Sequence, residues 1–170
     1  MGDYAAAESL YRRALAIREK TLGPEHPDTT ASIHNLAYVL IDTGDYAAAK
    51  PLARQALVIR EKILGPEHPG VAASLNNLAR LLRDSGEYAA AEPLVRRALA
   101  IYEKVLGSEH QNTATGINHL ANLLRATGDY ATAEPLYRRV LDIREKVLGS
   151  GHPKTCDVRM AWEDAQRKIK

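Results

Sequence analysis

Glycine stands at 2, 44, 86 and 128, and again at 23, 65, 107 and 149, two series sharing one step of forty-two residues. Laying residues 45–86 over 87–128 gives 24 identities in 42 positions, so one unit has been copied in tandem. A fixed period of this length decides the architecture before any single residue is weighed. Each unit is a supersecondary element that buries its apolar face only against its neighbours. The product is a solenoid with an extended surface, which is better suited to binding than to enclosing a reactive pocket.

Each unit carries two helical patterns. In Ala73–Arg83 the apolar residues Leu75, Leu78, Ala79 and Leu82 fall at i, i+3, i+4 and i+7, one face of an α-helix. The pattern stops at Ser85-Gly86, where glycine can take the left-handed conformation of a helix C-terminus. The second pattern opens at Glu87-Tyr88 and runs to about Leu106, with a wide apolar stripe expected of a helix touching neighbours on both sides. Pro51, Pro93 and Pro135 fall inside the second pattern and predict a local kink or loosened turn but no break, because the apolar period continues past them. Counting patterns predicts an all-α chain of about eight helices arranged as antiparallel pairs. The units are a half-repeat at 1–27, full repeats at 28–69, 70–111 and 112–153, and an atypical terminal helix at 154–170. Two half-repeats at the ends fit a fragment of a longer array.

Composition excludes several classes. Charge is +2 with both signs interspersed, which gives no basic stripe for nucleic acid. No apolar run approaches the length needed to span a membrane, and Ala6 stands where a myristoylation motif wants Ser or Thr. A single cysteine, Cys156, fits a reducing, cytoplasmic setting. No glycine-rich phosphate loop or catalytic constellation is visible, so the expectation is a non-enzyme without cofactor. His26, His68, His110 and His152 recur with the period but would lie about 16–20 Å apart at usual helix packing distances, too far to share a metal. They are expected to cap helix starts.

The run Leu75…Leu78-Ala79…Leu82…Gly86…Tyr88…Ala91…Val95…Ala98 resembles the tetratricopeptide repeat, with a unit eight residues longer than usual. Leu75-Asn76-Asn77-Leu78-Ala79, Ala91-Glu92-Pro93-Leu94 and Leu64-Gly65-Pro66-Glu67-His68-Pro69 are similar to the repeats of kinesin light chains and of bacterial arrays attached to signalling ATPases. The resemblance implies a right-handed superhelix whose concave wall is lined by the first helix of each pair, with an extended peptide lying in the groove. Helical spacing then puts His34, Tyr38 and Ile41, then Asn76, Arg80 and Arg83, then Asn118, Asn122 and Arg125 into the concave space. Asn35, Asn77 and His119 sit one step around. Amides can hydrogen-bond a peptide backbone whatever its sequence, and three arginines without an acid in those nine positions favour an acidic peptide or a free C-terminal carboxylate. The competing readings are a self-assembling structural element and a sensor segment of a larger ATPase.

The last helix departs from the pattern. Arg159 replaces Ile33, Leu75 and Ile117, and Glu163 replaces Ala37, Ala79 and Ala121, leaving a stripe of Val158, Ala161, Trp162, Ala165 and Ile169. This suits a capping helix, or alternatively one whose Met160 and Trp162 anchor a partner. The first helix lacks its pair, so Leu10, Ala14 and Ile17 are expected to be partly uncovered and to support self-association at high concentration. A clean monomer in sedimentation at millimolar protein would contradict that.

Overall fold

The computed structural model describes residues 4–170, and Gly2 with the Met1-Gly2-Asp3 start lies outside the described residues. Eight helices follow one another there: α1 (Tyr4–Leu22), α2 (Pro27–Thr43), α3 (Tyr46–Leu64), α4 (Pro69–Asp84), α5 (Tyr88–Leu106), α6 (Gln111–Ala126), α7 (Tyr130–Leu148) and α8 (Pro153–Ile169). No strand interrupts them among the described residues. The helices containing Pro51, Pro93 and Pro135 run unbroken through them.

The recurring histidines explain why every first-type helix starts where it does. Nδ1 of His26, His68, His110 and His152 accepts a hydrogen bond from the backbone N–H of Asp28, Gly70, Asn112 and Lys154 respectively, at 3.0–3.2 Å. An imidazole lone pair thus replaces the usual hydroxyl or carboxylate acceptor for an orphan helix-start donor. Asp45 and Asp129 cap α3 and α7 more conventionally, through Ala48 and Thr132 at 3.1 Å. Glu87, one methylene longer, makes no cap bond and reaches Lys50 and Ser85 instead.

The second-type helices end on glycines that no other residue replaces cheaply. Gly107 has φ +86 and ψ 169, a region that L side chains rarely enter. A Cβ there would meet nothing within 4 Å, so the cost of adding one is purely conformational. Gly107→Ala should therefore lower unfolding free energy by about 1–3 kcal/mol. Gly151→Ala, with open space around its Cβ and no positive φ, should be nearly neutral in the same urea titration. Equal effects at the two sites would show that the helix end rebuilds.

Each helix packs on the next in sequence, and α4 also touches α2 and α6 directly. The first-type helices thus stand closer together than the second-type helices and form the inner wall. Close approach is possible because small residues recur at the contacts: Ala37, Ala79 and Ala121 on one side, Ala49, Ala91 and Ala133 on the other, all essentially fully buried. Leu36, Leu40, Leu81, Leu82, Val95 and Leu123 join Ala37, Ala49, Ala79 and Ala91 in one cluster running through several repeats, so the core is shared. Outside, Lys62–Glu25, Lys104–Glu67 and Lys146–Glu109 repeat the same tie between neighbouring repeats. Such exposed pairs set register more than stability.

The ends differ. On α1, Leu10 and Ile17 are 66% and 53% exposed, whereas Ile59, Ile101 and Ile143, the counterparts of Ile17, are buried. On α8, Val158 and Ala165 are buried and Ala161 and Trp162 pack against the same cluster. Ile169, placed in that stripe by spacing, is instead half exposed. Trp162 is committed within the chain: its Nε1 donates to Glu134 at 2.6 Å, beside Gln166 at 3.2 Å.

Candidate functional site: a polar concave groove

The first-type helices present one row of side chains to the inner wall, and the row faces a cavity of about 800 Å³. His34, Tyr38, Asn76, Arg80, Arg83, Asn118, Asn122 and Arg125 all line it, as do Asn77 and His119. Two expected positions fall elsewhere. Ile41 is 3% exposed and belongs to the core, where an apolar side chain joins the shared cluster instead of lining the cavity. Asn35 is exposed and outside the lining.

The lining also includes residues that helix-by-helix spacing missed. Tyr102 and Arg144 reach it from α5 and α7, and Lys154, Asp157 and Met160 enter from α8. The period held a signal for the first two. Residues 18, 60, 102 and 144 are equivalent and read Arg, Arg, Tyr, Arg. Each arginine donates to the carbonyl ten residues on, Arg18 to Asp28 (3.2 Å), Arg60 to Gly70 (3.1 Å) and Arg144 to Lys154 (2.8 Å). Arg18 and Arg60 also bond the hydroxyls of Ser32 (2.6 Å) and Ser74 (2.9 Å). Where Tyr102 replaces arginine, Gly116 replaces that serine, and a Cβ at 116 would lie 3.3 Å from the Tyr102 ring. The two changes compensate each other, which puts a buried phenol in the groove floor.

The arginines are not free of acids. Arg80 Nη1 meets Asp42 at 2.7 Å, its Nη2 donates to the Tyr38 carbonyl at 3.2 Å, and the guanidinium lies 4.3 Å from the Tyr38 ring centroid. Arg83 pairs with Asp84 at 2.7 Å. Arg125 has only a distant partner, Asp164 at 3.9 Å, and is the most exposed of the three. The nine positions hold no acid, but carboxylates stand one step outside them, and two of the arginines are already paired.

The polar groups differ sharply in how well they are satisfied. Asn122 Oδ1 accepts from the Tyr137 hydroxyl at 2.8 Å. Asn77 Nδ2 lies 3.2 and 3.3 Å from the two ring nitrogens of His34. Arg60 Nη1 lies 3.2 Å from His34 Nδ1 and can only donate, so that nitrogen is an acceptor and the imidazole is neutral. Burial, reinforced by Arg60, holds the His34 pKa down at about 4. Burial, then Arg83, Arg80 and Arg144, holds His119 at about 3. Asn76 is different. It is 4% exposed, and neither its Nδ2 nor its Oδ1 makes a satisfied hydrogen bond, although the Tyr102 phenol lies near enough to feel the amide.

Among the described residues no group of three or more His, Cys, Asp or Glu converges on a metal-sized space, and no helix is long and apolar enough to cross a membrane.

The tetratricopeptide repeat family model matches residues 1–62, 29–104, 82–146 and 112–161. A putative kinesin light chain from Podosopora anserina with nearly identical TPR-like repeats is similar at 33% identity. The match covers 99% of this chain and 80% of that one, with a TM-score of 0.76. BtubC (BKLC) from P. vanneervenii is similar at 27% identity, covering 99% of this chain and 67% of that one, with a TM-score of 0.80. A comparison with curated proteins finds no match. Tetratricopeptide repeats generally serve as protein–protein interaction scaffolds and are typically non-enzymatic. A period carried by paired helices, an inner wall of first-type helices and a family match spanning 1–161 agree that this chain belongs to the tetratricopeptide repeat family.

Proposed function

We propose that the concave groove binds an extended peptide segment of a partner protein, holding its backbone by the side-chain amides and turning a carboxylate toward Arg125. The observation that carries this reading is Asn76, an almost fully buried amide that lines the cavity and is left short of hydrogen-bond partners, with the Tyr102 phenol beside it. Buried polar groups left without partners are rare and costly, so one that faces a cavity is a place where a ligand gains what the free protein forgoes. An extended backbone offers one carbonyl and one N–H per residue, the complement of a primary amide. Arg125 supports the acidic or C-terminal end of the proposal because it alone of the three arginines has no close carboxylate. Arg80 and Arg83 serve mainly to fix the groove wall.

The test is a peptide-array screen of the full chain at two salt concentrations, repeated with Asn76→Ala and Arg125→Glu. Asn76→Ala should weaken every captured peptide by about tenfold, the worth of roughly one lost hydrogen bond, without lowering the melting temperature of the free protein. Arg125→Glu should remove the salt-sensitive part of binding to acidic or C-terminal peptides. Unchanged binding with a destabilised free protein would mean that Asn76 is a structural residue satisfied by water, and would refute the reading.

A further inference from the structure

A second cavity, of about 280 Å³, opens between the first turns of α2 and α4 and the end of α3. His34 and Ala73 line both this cavity and the main groove, which makes the two one continuous surface. Pro27, Ile63, Leu64 and Gly70 supply apolar wall, and Ile63 and Leu64 are 36% and 39% exposed. The charged group that reaches the cavity is already engaged: Arg60 Nη1 bonds the Gly70 carbonyl, the Ser74 hydroxyl and His34 Nδ1. Nothing in the wall asks for a polar occupant.

Gly70 shapes this space. The equivalent residues in the other copies are Asp28, Asn112 and Lys154. A Cβ at 70 would come within 3.0 Å of Leu64 Cδ1 and 3.1 Å of His68 Nδ1, so a side chain there pushes on the cavity wall. The backbone does not require glycine, since Gly70 is absent from the positive-φ glycines. Glycine at a helix start carries an entropic cost, and three sibling copies show that the fold accepts larger residues.

We propose that this cavity is an anchor subsite for one aliphatic side chain (Leu, Ile, Val or Met) of the same peptide whose backbone lies over Asn76. The proposal rests on the groove reading and adds a specificity to it: an aliphatic residue on the α2–α4 side of the segment held by the amides. Removal of that side chain from water supplies the selectivity, because the cavity offers contact without a polar demand.

The experiment is selection of a displayed random heptapeptide library on the immobilised full chain. The pool should converge on an aliphatic residue at one position. Gly70→Asn, which installs the residue of the neighbouring copy, and Ile63→Thr, which installs that of the first copy, should each weaken the selected peptide by about tenfold. The same peptide with alanine at the converged position should bind the parent chain and Gly70→Asn alike. Thermal melts check that both variants remain folded. A pool with no aliphatic position that still depends on Asn76, or a peptide held equally by Gly70→Asn, overturns the subsite and leaves the groove standing. No enrichment at all overturns both.

Discussion

Leu81→Ala should cost about 2–5 kcal/mol of unfolding free energy, one of the large losses expected from a single truncation in this chain. Leu81 is fully buried in α4, the helix that touches both neighbouring first-type helices as well as α3 and α5. Its side chain packs in the cluster that also holds Leu40, Val95 and Leu123, so the void left behind is walled by residues from several repeats. Little of it can close by local relaxation, which places the cost toward the upper end of such truncations. A solenoid adds a second consequence. Its stability is a sum of repeat and interface contributions, and weakening the central repeat uncouples the two ends. Urea unfolding followed by circular dichroism should show a lower midpoint and a shallower slope. Leu10→Ala, at a side chain 66% exposed, should stay within about 0.5 kcal/mol of the parent. Similar losses at both positions would mean that α1 is covered in solution.

Acidification gives the second large effect. His34 and His119 have their pKa values lowered from 6.5 to about 4 and about 3, in each case by burial first and then by cationic neighbours. The unfolded chain therefore binds protons that the folded chain refuses, and stability rises with pH across this window. The contribution is fully present above about pH 6.5, declines as pH falls, and stops declining only below the folded values of about 4 and 3. The slope between pH 6.5 and 5 should approach about 1.4 kcal/mol per pH unit for each histidine, discounted because both imidazoles are partly reached by solvent. Protonating His119 would add charge beside Arg80, Arg83 and Arg144, and protonating His34 would break its acceptor role toward Arg60. His34→Asn with His119→Asn installs residues that sibling copies carry at the same places, so the double variant should fold and flatten the profile. Urea midpoints measured from pH 7 to 5 check this. A flat parent profile, or the same slope in the variant, would show that both imidazoles titrate normally.

Most of the architecture could be read from the chain alone because its causes are local and repeated. A period of forty-two residues, an i, i+3, i+4, i+7 stripe and a glycine past each helix act within one unit, and three in-phase copies correct any ambiguity in one. The histidine caps fall in this group, since a cap joins residues two apart. Much of the cavity lining on the first-type helices was legible for the same reason: once those helices form the inner wall, helical spacing selects most of the row.

What only the tertiary structure decided are relations between residues in different helices. Asp42 neutralises Arg80 from thirty-eight positions away, and Tyr102 and Arg144 enter the groove from helices assigned to the outer layer. Ile41 satisfies the spacing rule yet points into the core, and among the described residues Asn76 alone of the buried amides is left unsatisfied. Gly70 reads in sequence as one more variable helix-start residue, while in space it widens a cavity against Leu64. Sequence period determines which face of a helix a residue occupies. How far neighbouring helices approach, and which side chain reaches across the gap first, is set by packing between repeats, and that is where the binding chemistry of this chain is decided.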